Sequence, residues 1–110
     1  MRFGEHAEQF QNKFTQAENQ QFTADFQEMT EKFQTFMNLG VHPGADEVQK
    51  LVAEHYAFVK QFWTPNQEAY KSLAMMYILP SPYRDHYESV QVGLGQYHYD
   101  AIVLWANQNL

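Results

Sequence analysis

The sequence predicts an all-α fold, and three observations carry that prediction. Apolar residues recur at spacings of three and four along most of the chain, which lays them on one face of a 3.6-residue helix. No segment alternates apolar and polar residues for more than a few positions, and no hairpin dipeptide of the Asn-Gly kind occurs. Two pairs, Thr64-Pro65 and Ser81-Pro82, stand where helices would begin: proline at the first helical position lacks only an N–H that would be unpaired anyway. Helices of such unequal length suit an irregular, globin-like packing of about five to six elements better than a symmetric four-helix bundle.

Ala7, Phe10, Phe14 and Ala17 give the first helix a narrow apolar stripe, and Glu18-Asn19-Gln20-Gln21 adds nothing to it. Residues 1–20 are therefore expected to form a weak, mobile N-terminal helix or lid, ahead of the main helical domain at 21–110. The second helix should run from about Gln21 to Leu39. Phe22, Phe26, Met29, Phe33, Phe36 and Met37 share its face, and Gly40 supplies the left-handed residue that stops it. After the turn Val41-His42-Pro43-Gly44, a third helix carries Val48, Leu51, Val52, His55, Val59 and Phe62 and ends near Trp63.

Thr64 reads as the N-cap of the fourth helix, with Pro65 at its first position and Gln67 closing a capping box. Tyr70, Leu73, Met76 and Tyr77 continue that helix. Ser81-Pro82 opens a short fifth helix bearing Tyr83 and Tyr87. The sixth follows Gly93-Leu94-Gly95, with Leu94, Tyr97, Ala101, Leu104 and Trp105 facing inward. These glycines read as a tight bend between two helices: Tyr97-His98 follows where a dinucleotide loop would place its third glycine.

At 110 residues, one domain is the expectation. A net charge of −6 with no Lys/Arg cluster repels a phosphate backbone, so direct nucleic-acid binding is not expected. The absence of cysteine removes disulfides, thiolate zinc sites and a thiol nucleophile. The first twenty residues lack the apolar core of a signal peptide, and no window approaches about 18 apolar residues. A cytoplasmic protein without membrane association is the resulting expectation.

None of the five histidines forms an i, i+4 pair or a His-Glu-x-x-His motif, so no metal site is expected. Ser72, Ser81 and Ser89 lie in helical or capping contexts with no Gly-x-Ser-x-Gly elbow, and no enzymatic activity or cofactor is expected. His55 stands on the apolar stripe of the third helix, where its ring must either find a backbone or tyrosine partner in the core or line a cavity. A truncated-haemoglobin-like haem protein is the remaining possibility for such a histidine. Nine Phe, seven Tyr and two Trp exceed what a core of this size needs, and tyrosine hydroxyls converging from several helices are what a semi-polar, drug-sized cavity uses.

Glu68, Leu73, Met76-Tyr77, Tyr83, Tyr87, Gly93-Leu94 and Asp100-Ala101-Ile102, in that order and spacing, resemble the TipAS family. Upstream, Gly40-x-x-Pro43, Asp46-Glu47-Val48-Gln49 and Glu54-His55 look like its middle segment, so the resemblance covers about residues 33–105. It implies a globin-like helical domain without haem that binds antibiotics in an aromatic-lined cleft. In full-length regulators of the MerR type, the domain follows a winged-helix DNA reader and a dimerising helix. It further implies that residues 1–20 close over the ligand. Members that capture thiopeptides covalently use a cysteine just before the fourth helix, and Pro65 occupies that position here.

The expected role is non-covalent binding of a bulky, antibiotic-like molecule. The protein would act as the effector part of a transcriptional activator, homodimeric in its full-length form and contacting DNA only through a separate domain, or as a free-standing drug-sequestering protein. Phe36, His55, Phe62, Trp63, Tyr77, Tyr83 and Tyr87 are the candidate ligand-binding residues. A protein-interaction module whose aromatic groove accepts a partner helix is the alternative.

Overall fold

The computed structural model describes residues 15–110, and the stripe at Ala7, Phe10 and Phe14 lies outside them. The described residues form five helices: α1 (Gln16–Asn38), α2 (Asp46–Val59), α3 (Gln67–Met75), α4 (Pro82–Val90) and α5 (Leu94–Asn109). No strand occurs among them, so the fold is all-α.

Helix α1 begins five residues before the predicted Gln21. Thr15 is an N-cap whose hydroxyl accepts from the Glu18 N–H at 3.1 Å, while the Glu18 carboxylate accepts from the Thr15 N–H at 3.0 Å. This reciprocal box satisfies two otherwise unpaired donors, which lets the polar Glu18–Gln21 turn join the helix without an apolar face. At the other end Gly40, at φ 71°, closes a Schellman motif: Gly40 N–H donates to the Met37 carbonyl and Val41 N–H to that of Phe36.

Three further predicted boundaries move, one of them the end of α3, which stops at Met75 and leaves Met76 and Tyr77 in the turn beyond it. Helix α2 ends at Val59 instead of Trp63, and turn bonds from the Phe62 and Trp63 N–H groups to the Val59 carbonyl carry the chain away from the helix axis. The N-cap of α3 is Asn66, not Thr64: its side-chain oxygen accepts from the Ala69 N–H at 2.9 Å. Pro65 is buried outside the helix, and its carbonyl accepts the Tyr56 hydroxyl at 2.6 Å. Ser81-Pro82 does open α4 as predicted, with the Ser81 hydroxyl accepting from the Arg84 N–H.

Helix α5 packs against all four other helices, and α1 also packs on α2. Its inward face differs from the prediction. Leu94, Gly95, His98, Ala101, Ile102 and Ala106 are buried, whereas Tyr97, Leu104 and Trp105 are half-buried at the sides. A helix surrounded on several sides buries its small and medium residues at the axis and sends its large amphipathic rings outward. Tyr97 accordingly donates to the Val41 carbonyl at 2.7 Å, and Trp105 packs on Tyr56 and Tyr70.

Gly93, at φ 89°, turns the chain into α5, and Gly95 lets α5 approach the turn after α3. A Cβ on Gly95 would stand 2.1 Å from the Tyr77 carbonyl oxygen, a backbone atom that cannot swing aside. Gly95→Ala is therefore expected to destabilise the fold by about 3 kcal/mol, at the upper end of ordinary overpacking costs, in urea or thermal unfolding. A loss under about 0.5 kcal/mol, within the range of a surface substitution, would show that α5 can move away.

Candidate functional site

Phe22 and Phe26 lie one helical turn apart on α1, with Asn19, Thr23 and Gln27 forming a parallel polar row beside them. Helix α2 contributes His55, Phe58 and Val59 to the same region, and the turn that ends it adds Phe62 and Trp63. Leu73 of α3 and Tyr77 just beyond it make the floor. Helix α4, oriented by its Ser81 cap, presents Pro82, Tyr83 and His86 opposite α1. Together these side chains enclose a cleft of about 500 Å³, within the roughly 300–1,000 Å³ of typical small-molecule sites.

The outer walls are rings in edge-to-face and tilted contact. Phe22 meets Phe62 at 4.8 Å and Phe58 at 6.4 Å between centroids, and Phe58 meets Phe62 at 5.4 Å. Phe26 lies between Phe58 at 6.1 Å and His86 at 6.4 Å. Phe22, Phe26, Phe58 and Phe62 are all only half-buried, so part of each ring is exposed at the cleft.

The floor is polar but internally satisfied. His55 is fully buried; the Tyr70 hydroxyl stands 2.7 Å from its Nδ1 and the Tyr77 hydroxyl 3.3 Å from its Nε2. Behind it, His98 meets His55 edge to face at 4.6 Å, stacks on Phe33 at 4.0 Å and on Tyr77 at 5.0 Å, and pairs through Nδ1 with the Tyr87 hydroxyl at 2.8 Å. Its Nε2 has no hydrogen-bond partner. Burial pushes the His55 imidazole down to about 3, and burial followed by the neighbouring His55 holds His98 well below the usual histidine range. Both rings are thus neutral. With both nitrogens facing tyrosine hydroxyls, His55 is not open to haem iron or another metal ion.

Five of the seven sequence candidates, His55, Phe62, Trp63, Tyr77 and Tyr83, line this one cleft. Tyr83 is half-buried, and burial pushes its hydroxyl up to about 12, so it is a neutral donor. Phe36 and Tyr87 do not line the cleft. Phe36 lies ten residues beyond Phe26 on the same helix, roughly 15 Å along its axis, and packs against the core there. Tyr87 is fully buried behind Phe26 and Tyr77, with its hydroxyl committed to His98.

The sequence reading assigned Phe22, Phe26 and Phe58 no site role, and left out Asn19, Thr23, Gln27 and His86. The i, i+4, i+8 row of Asn19, Thr23 and Gln27 beside Phe22 and Phe26 is a legible signal for a helix that faces a half-open cleft. His55, for which a core partner and a cavity position were both open, has both at once.

Below about pH 6.5 each buried imidazole would be protonated in the unfolded chain but stays neutral in the folded one, so the unfolded state binds more protons. Stability is therefore complete above about pH 7 and is lost as the pH falls from 6.5 toward 3. Each histidine is expected to contribute a slope of about 1.4 kcal/mol per pH unit in that window. Chemical denaturation between pH 7 and pH 5 measures it. His98→Phe should reduce the slope by one proton's worth, and an unchanged slope would mean that His98 is not held neutral.

A family model described as the TipAS antibiotic-recognition domain matches residues 1–105. No curated protein and no solved structure matches the chain. The family match is wider than the resemblance read from residues 33–105, and it takes in the whole of α1 and every residue of the cleft. The chain belongs to the TipAS antibiotic-recognition domain family.

Proposed function

We propose that this domain binds a bulky, largely apolar or aromatic antibiotic-like molecule in the cleft between α1, α2, α3 and α4, without transforming it. The carrying observation is a cleft of about 500 Å³ whose walls are half-buried phenylalanines and whose deepest polar groups already pair with one another. Such a surface gains affinity from stacking and apolar burial. His55 at its floor is neutral and faces a tyrosine hydroxyl on each nitrogen, so it is not poised as a general acid or base near neutral pH. The chain has no cysteine, so capture through a thiol bond is not available to it.

In this reading, the domain serves a MerR-type transcriptional activator as its effector part or acts as a free-standing, cytoplasmic sequestering protein. Among the described residues, no helix is long and apolar enough to cross a membrane. In a regulator, the ligand would shift the balance of promoter-bound states by its differential affinity for them, with DNA contact made by a separate winged-helix domain.

A thermal-shift screen against a panel of large, chemically varied antibiotics tests the proposal. A ligand at 100 times its dissociation constant adds about 2.7 kcal/mol, on the order of 10 °C for a domain of this size. A flat response across the panel would overturn it. For any compound that shifts the melting point, Phe62→Ala is expected to weaken binding roughly tenfold through the lost aromatic wall. The same change should cost little stability, since Phe62 is half-buried.

A further inference from the structure

Building on the small-molecule reading of the cleft, we infer that its ligand is uncharged along the part that enters, and that it lies with its apolar face on the phenylalanines and its polar edge toward Gln27 of α1 and His86 of α4. No Asp, Glu, Lys or Arg is among the described residues that line the cleft. A carboxylate entering it loses water and finds no cation from lysine or arginine among the described residues. The two imidazoles nearest the floor do not supply one either, because burial keeps them neutral. The net charge of −6 adds a long-range field that disfavours anions further.

A cation fares better against the aromatic faces, yet the balance is still unfavourable. Cation–π contact contributes roughly 0.5–2 kcal/mol, while taking an ammonium-sized ion out of water costs several kcal/mol when no counter-ion is present. The buried His55 offers it no open acceptor, since it faces Tyr70 on one nitrogen and Tyr77 on the other. Polar atoms of a ligand therefore meet Gln27 and His86 at the mouth, since the Thr23 hydroxyl already donates to the Asn19 carbonyl at 3.1 Å. Thr23 and Gln27 are exposed there, and His86 stands across from them on α4.

Three fluorescent anthracenes of nearly equal size test the inference: neutral aminoanthracene, an anthracene carboxylate and an aminomethylanthracene, the last two substituted on the central ring so that the charge cannot reach the mouth. Binding is read by fluorescence titration of the full chain. Thr23→Trp serves as a cleft-blocking variant at an exposed helical position that tolerates a large side chain. The neutral probe is expected to bind, the two charged probes to bind roughly tenfold or more weakly, and Thr23→Trp to suppress binding of the neutral probe. A charged probe that binds as tightly as the neutral one, and is likewise blocked by Thr23→Trp, would overturn the charge inference and leave the binding site standing. Failure of the neutral probe to bind, or binding indifferent to Thr23→Trp, would overturn the site reading together with the inference.

Discussion

Two neutral imidazoles buried edge to face, His55 of α2 and His98 of α5, are the contact around which this small fold is organised. A polar ring removed from water costs a few kcal/mol unless it is hydrogen-bonded, and that requirement falls on particular neighbours. Tyr70 from α3, Tyr77 from the turn beyond it and Tyr87 from α4 supply the hydroxyls. Each of those segments is thereby fixed in rotation and height relative to α2 and α5. Apolar burial alone would tolerate sliding among the helices, whereas a chain of directed hydrogen bonds does not.

The cleft is the outer side of the same arrangement. Rings occupy two layers: an inner one of tyrosines and histidines whose polar atoms are mostly spent on one another, and an outer one of phenylalanines with exposed faces. Tyr77 belongs to both, since it lines the cleft, stacks on His98 and touches Gly95 through its carbonyl. The wealth of aromatic residues thus has a division of labour. Core tyrosines specify the geometry, and half-buried phenylalanines forgo part of their burial to leave a surface that a ligand can complete.

Helical class was legible because it depends on local periodicity and on caps such as Ser81-Pro82, which act within one turn. The position of α3's start was not: Thr64 and Asn66 are both competent caps, and the start at Asn66 goes with tertiary contacts, the burial of Pro65 and the bond from the Tyr56 hydroxyl to its carbonyl. His55 could be placed at a core-or-cavity position from its stripe, but its two tyrosine partners lie 15 and 22 residues away and no pattern announces them. His98 was hidden for a related reason. Its burial is permitted by Tyr87 and by the glycine that brings α5 close to Tyr77, so it follows from tertiary contacts and not from the amphipathic pattern of its own helix. Phe22 and Phe26 carried an ambiguous signal, because apolar residues at helical spacing face a core and a cleft equally well.

The distribution of contacts also decides where the domain can yield to a ligand. Helix α5 and the Tyr77 turn meet at backbone distance, so the floor of the cleft has no slack. The first turn and a half of α1 is different: every residue from Thr15 to Gln21 except Asn19 is exposed, and the segment is anchored locally by the Thr15–Glu18 capping box. Opening such a segment costs far less than opening the core, because few apolar contacts are lost with it. The near wall is therefore held less firmly at Asn19 than at Phe22, which packs on Phe58 and Phe62, and less firmly than the buried His55, Leu73 and Tyr77.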